Sequence, residues 1–434
     1  MTYDNTPSGQ PTPQEPDSWP YVIPAAPPYL APTGPRHSTL TLVLVAAVAG
    51  LSGLVLGAGA IGVVWALRVA GPGGTADFSP VADRLPDELP RLTEFVERQR
   101  GLSFLEDVDV EILEDDVFER ELLSPALPAE TATSDPGDYG ATYAALGLTA
   151  DAQSYYEAES SLFAASVDGF YDPYGDRMVV RGTEWTPYVE ATVVHELTHA
   201  LQDQHFDLAG LYDDVQSGDS AIAVQALVEG DAVRVENLYL GEQSPKWHEQ
   251  YELSFPAGDF AGTYDPLADT LGWLPYSLGL GAVQEIVDAG GNEALNEAFR
   301  NPPSTSEQVG RVTAWLEGDP SATAAVELEA PGLPDGKIGA DEGSIGAAML
   351  SLLPLDLEED YYEDEVLDGW RGDRYVTWHD AGESCVDLTV ALDDAAAVES
   401  VQETLAGWTA RTGGSVRPVE GAGITGVLLH SCSA

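Results

Sequence analysis

The chain has 434 residues, 44% of them hydrophobic, enough for two or three domains with a sizeable core. Acidic residues outnumber basic ones 73 to 18, a formal net charge of −55. A surface this negative repels phosphate backbones and argues against nucleic acid as a partner. The densest acidic runs, 106–116 and 357–368, lack the ligand spacing and turn glycine of a calcium loop and read as solvated surface.

Residues 1–37 form a proline-rich tail, with "PTPQEP" and "PYVIPAAPPY", expected to be disordered. From Leu40 to Leu67 no charged residue occurs. That run exceeds the roughly 20 residues needed to cross a bilayer and predicts a transmembrane helix over 38–69. Arg36 and Arg68 flank it evenly, so charge barely orients it. The acidic bulk and the two cysteines, Cys385 and Cys432, favour a single-pass protein of the cell membrane with its main part extracytoplasmic and a lipid bilayer as partner. One disulfide is compatible with that setting, although the sequence does not settle the pairing.

A linker over 70–80 leads into a main domain, 81–342. "LPDELPRLTEFVERQRG" reads as a helix and "LSFLEDVDVEIL" as a strand. After a loop-rich stretch, "TYAALGLT" and "AQSYYEAESSL" read as helices, then "FAASVDGFYDP" and "DRMVVRG" as two strands joined through "DPYGD". Helices follow at 186–204 and roughly 219–240, then at "LGWLPYSLGLGAVQEIVDAGG" and "NEALNEAFR". In 343–434, "YVTWHDAG", "SCVDLTVAL" and "TGVLLHSCS" alternate as strands around a helix at "DAAAVESVQETLAGWTART". The expected class is α+β: a largely helical domain with a small sheet, a small C-terminal α+β unit and one membrane helix.

The chemistry concentrates in "ATVVHELTHALQDQHFDL", 191–208. His195 and His199, four apart, share one helix face and can hold one metal ion. Neutral imidazole suits zinc, and zinc lowers the pKa of the water it binds to about 7. Glu196, about 100° round the helix, is placed to act as general base without ligating. Apolar Val193, Val194, Leu197, Ala200 and Leu201 surround the group, a costly setting for imidazoles and a carboxylate without a metal.

A catalytic zinc takes three protein ligands. The candidates downstream are Asp203, His205, Asp207, Asp219, Glu229, Asp231 and Glu236. Glu229 is preferred: it sits in the apolar "ALVEGDA", where a carboxylate needs a positive partner, and Gly230 allows close approach to the motif helix. The rival partner for Glu229 is Arg234. Asp203, four residues after His199, is a candidate to hold that histidine's other nitrogen, or else a solvent-facing acid at the helix end. Tyr171 and Tyr174 read as packing or turn-capping residues.

"HELTH" with a later glutamate in "EGDA" resembles the gluzincin branch of the zincin metallopeptidases. More narrowly, "HELTHALQDQHFDL", "ALVEGDA", "NPPSTSEQV" and "GWRGDRY" resemble a little-characterised group of membrane-anchored or secreted bacterial and archaeal proteins. The likeness covers about 160–310 and, more weakly, 343–380. That group has a His-Pro pair after its Glu-Gln-Val segment, where this chain has Gly310 and Arg311, so no role is carried over to that loop. The resemblance implies a zincin-like fold, Zn2+ held by His195, His199 and Glu229, and an edge strand ahead of the motif helix that pairs with an extended peptide. The expected function is a zinc metallopeptidase with peptide or protein substrates. The alternatives are a non-catalytic binding or envelope-assembly module and a zinc hydrolase of a non-peptide amide.

Overall fold

The computed structural model describes residues 79–122, 136–182, 184–215, 217–254, 264–319 and most of 322–433, together with a two-residue strand, β1 (Ile23–Pro24). The N-terminal part continues with α1 (Val81–Arg100), β2 (Asp109–Leu113), α2 (Asp115–Leu122), α3 (Pro136–Ala145), α4 (Ala152–Ser166), β3 (Gly169–Asp172) and β4 (Arg177–Arg181). The helical centre is α5 (Pro187–Phe206), α6 (Leu208–Asp213), α7 (Gly218–Gly241), α8 (Pro245–Ser254), α9 (Pro266–Arg300), α10 (Ser306–Gly310) and α11 (Val312–Glu317). The chain then forms β5 (Gly339–Gly343), α12 (Gly346–Leu352), β6 (Trp370–Asp380), β7 (Glu383–Leu392), α13 (Ala395–Thr404), α14 (Ala406–Thr412), β8 (Ser415–Gly421) and β9 (Ile424–Cys432).

The motif helix begins where its sequence says it should. Thr186 accepts a hydrogen bond from the Val189 N–H, Pro187 occupies the first turn, and Asp207 ends the helix in the left-handed region. The second helix opens with a reciprocal Ser217–Ser220 capping box. In α9 the helix breaks at Gly290 and Gly291, between the two helical segments expected from the sequence.

The first sheet has the order β1-β3-β4-β2, with β3 and β4 an antiparallel hairpin and β2 parallel to β4. The second is antiparallel, in the order β5-β6-β7-β9-β8. Cys385 and Cys432 face each other in the β7–β9 register and are disulfide-bonded. One apolar cluster joins Leu146, Tyr155 and Leu267 to Met349, Trp370, Leu388, Trp408 and Leu429, so the core is continuous across the boundary expected at 342/343.

The expected class needs correcting. The described chain is mixed helix and sheet with two sheets, and no described helix is long and apolar enough to cross a membrane. The longest, α9, has only 270–284 free of charge, shorter than the roughly 20 residues a span requires. The span expected over 38–69 lies outside the described residues, as do the linker before Ser79 and the proline-rich tail apart from Ile23–Pro24. A single-pass, cell-membrane localisation is therefore not supported and is withdrawn.

Two glycines set the distance between α7 and α9. A Cβ on Gly230 would lie 2.3 Å from the Gly279 carbonyl, and one on Gly279 would lie 1.9 Å from the Ala226 oxygen. Gly230 thus brings α7 against α9, not against the motif helix as the sequence suggested. Gly279→Ala should force the helices apart and cost about 1–3 kcal/mol. Gly281→Ala, two residues on, exposed and with nothing within 4 Å, should instead gain about 0.5–1 kcal/mol from helix propensity. Thermal melts of the two variants should move in opposite directions; a matching shift would remove this account of the crossing.

Candidate metal centre

Helices α5 and α7 bring together three of the residues singled out in the sequence. Ligand atoms of His195, His199 and Glu229 all lie within 4.8 Å of one another, a buried group that could hold a metal ion. His195 Nε2 is 3.2 Å and His199 Nε2 3.5 Å from the same Glu229 oxygen. The second of these is too long for a good hydrogen bond, and His199 Nε2 is left without one. Glu196 lies beside the group with no exposure; its carboxylate oxygens have no partner in good hydrogen-bond geometry, although the Tyr171 backbone N–H is close enough to favour the charged form. Buried polar atoms without partners are costly, and a cation held by the three side chains would offset that cost at His199 Nε2.

The surroundings are largely satisfied, with Arg100 Nη1 and Arg234 Nε also left without a partner. Glu236, two turns after Glu229, stands 3.1 Å from His195 Nδ1. Gln202 holds His199 Nδ1 at 3.0 Å through its side-chain oxygen. Tyr276, from α9, lies beside Glu229, and burial together with that carboxylate holds its hydroxyl well above the usual tyrosine range. Arg234, the rival partner for Glu229, pairs with Asp231 at 3.1 Å. Asp231 is joined from α1 by Arg100 at 2.6 Å.

Electrostatics follow from this burial. Burial opposes charge on His195, yet hydrogen bonds with Glu229 and Glu236 outweigh it and lift the imidazole to about 10. Burial drives Glu196 well above the usual carboxylate range and lowers His199. For Glu229 the effect of burial is overcome by His199 and His195, which hold it below its ordinary value.

Other candidates fall elsewhere. Asp203 does not hold His199; it accepts from the Tyr171 hydroxyl at 2.7 Å and from the Leu208 N–H at 2.8 Å. Tyr174 reaches Asp213 at 3.1 Å. His205 Nε2 meets the Ser103 carbonyl and Asp207 caps α6. Gln202 and Tyr276 were missed. Gln202 carried a signal, being one turn after His199, whereas Tyr276 comes from a helix whose spacing to the motif says nothing. The strand ahead of the motif helix is β3, where a Cβ on Gly169 would lie 3.5 Å from Glu196 Cγ, but it is not the edge strand expected from the sequence, because it lies between β1 and β4. Its outer edge pairs with β1, with Ile23 opposite Tyr171 and Pro24 opposite Phe170.

Comparison with known proteins found no matching family, no matching curated protein and no matching solved structure.

Asp219 is buried at the start of α7, where it accepts the Ser306 N–H at 3.1 Å and the Ser306 hydroxyl, which in turn accepts from the Ala348 N–H. Burial, with the Asp373 carboxylate nearby, pushes Asp219 to about 7 despite the Ser306 hydrogen bonds. The folded state therefore binds this proton more tightly than the unfolded chain, whose carboxyl sits near 3.8. The resulting stability is full below about pH 4 and is lost as pH rises through about 7. Asp219→Asn keeps an acceptor for Ser306 but cannot ionise. It should lose less stability than the parent between about pH 4 and 8, by at most about 4 kcal/mol. Denaturant unfolding at several pH values checks this, and parallel pH slopes would refute it.

Proposed function

We propose that this protein is a zinc-dependent peptidase in which His195, His199 and Glu229 hold the metal and Glu196 is the general base. The observation that carries the reading is the convergence of those three side chains beside a buried Glu196 that has no side-chain hydrogen-bond partner. Two imidazoles and one carboxylate form the donor set of a catalytic zinc site, which keeps a fourth position for water or substrate. Zinc, when bound there, supplies a Lewis acid that acidifies water and polarises a carbonyl.

The remaining chemistry belongs to the chain. Glu196 takes a proton from the attacking water and returns it to the leaving amine. Glu236 fixes the His195 ring through Nδ1, and Tyr276 orients the Glu229 carboxylate. Strand β3 lies against Glu196, but its outer edge is occupied by β1, so an extended substrate pairing there would have to take the place of that two-residue strand.

One observation favours a second reading. His195, Glu196 and His199 are fully buried, so an extended peptide reaches them only if covering residues move. A small amide needs less displacement, and a zinc amidase would use the same residues.

Metal analysis of the purified full chain should find about one zinc, and a chelator should abolish hydrolysis in a panel of peptides and small amides. Glu196→Gln should keep the metal while turnover falls about 10²–10⁴-fold. Glu229→Ala should lose the metal. Near-native turnover in Glu196→Gln, or stoichiometric zinc in Glu229→Ala, would sink the assignment; cleavage of small amides alone would select the second reading.

A further inference from the structure

We infer that Asp231, acting through Gln202, sets which nitrogen of His199 is free to bind a metal. The inference rests on the reading of His199 as a ligand and concerns how that ligand is prepared. Asp231 receives Arg100 Nε at 2.6 Å and Arg234 Nη2 at 3.1 Å, so its carboxylate acts only as an acceptor. The Gln202 side-chain nitrogen lies 3.0 Å from Asp231 Oδ2 and 3.0 Å from the Val228 carbonyl. Both of those partners accept. The amide can therefore adopt one orientation only, because turning it would set an oxygen against two acceptors in a buried place.

That orientation points the Gln202 oxygen at His199 Nδ1, 3.0 Å away. An oxygen there requires the proton on Nδ1, which leaves the Nε2 lone pair facing Glu229 and His195. Nε2 is the His199 nitrogen without a hydrogen-bond partner. The chain begins on α1, where the Asn296 oxygen receives Arg100 Nη2 at 3.2 Å and helps hold the guanidinium. Asp231 and Gln202 are thus positioning residues: neither touches a reacting atom, and both act on the metal site through His199. Buried acceptors of this kind typically change metal affinity 10–100-fold when lost.

The test uses metal-free, 15N-histidine-labelled full-length protein above pH 8, where long-range proton–nitrogen spectra distinguish the two tautomers, with zinc affinity measured separately by chelator competition. The parent should show His199 protonated on Nδ1. In Asp231→Asn the Gln202 amide is free to turn, the Nε2–H form should appear, and zinc should bind 10–100-fold more weakly. Because that variant strands two buried guanidiniums and can fail to fold, Gln202→Met provides the second arm. It keeps both ion pairs, and it should lose the tautomer preference with a similar drop in affinity. An Nε2–H tautomer in the metal-free parent, or an unchanged tautomer and unchanged zinc affinity in Gln202→Met, would overturn the inference. If the parent takes up no zinc at any concentration, the functional reading falls, while the tautomer spectra still decide this one.

Discussion

Three carboxylates, Glu229, Asp231 and Glu236, lie buried within two turns of one helix, and the cost of burying them organises the centre of this protein. Each is compensated differently. Asp231 takes two guanidiniums, one from its own helix and one from α1. Glu236 takes one imidazole nitrogen. Glu229 is shared between two imidazoles, with Tyr276 nearby. Buried ion pairs seldom repay their desolvation in stability, so such a concentration is more readily explained by what it positions than by what it stabilises.

Packing explains why these compensations meet at one point. Gly230 and Gly279 let α7 and α9 approach backbone to backbone, which brings Tyr276 to the Glu229 side of α7. Val193, Val194 and Leu197 of α5 pack with Val96 of α1 and Met178 of β4. The motif helix is thus held by the first sheet and α1, while the carboxylate helix is held by α9. The site lies where these two packing systems join. A displacement of either would change distances that the ligand atoms must keep to within fractions of an ångström.

Much of this could be read in the sequence, and the limits are physical. His195 and His199 were legible because helical periodicity alone puts them on one face. Glu229 was legible because a carboxylate amid Val224, Leu227, Val228 and Val233 has to find a cation. Spacing could not choose between Gln202 at i+3 and Asp203 at i+4, since both stand near His199 on a helix; tertiary partners decided, Tyr171 drawing Asp203 outward. Strand β2 came out shorter than its alternating run, and the helix at 395–412 split at Leu405. Strands β5 and β8 went unseen because "GADEG" and "SVRPVEG", carrying glycine, charge and proline, lack strand propensity and sit at sheet edges where pairing tolerates it. An uncharged run reads as a bilayer span by length; the one expected over 38–69 lies outside the described residues, and no described helix is long and apolar enough to cross a membrane.

The geometry of His195 makes the strongest physical case that the group is more than an ion-pair network. Its two ring nitrogens both face carboxylate oxygens, Glu229 at 3.2 Å and Glu236 at 3.1 Å. A neutral imidazole has one proton and cannot donate to both, so the group holds together with His195 doubly protonated, with a protonated Glu236 donating to the bare nitrogen, or with a cation at Nε2. Both proton solutions leave His199 Nε2 without a hydrogen-bond partner, in a place sealed from water. A divalent cation at Nε2 would let a single proton on Nδ1 serve Glu236. It would also use the His199 lone pair and offset the Glu229 charge. On the proposed reading, one ion would thus meet several costs of this buried group at once, which an internal salt bridge leaves standing at His199 Nε2.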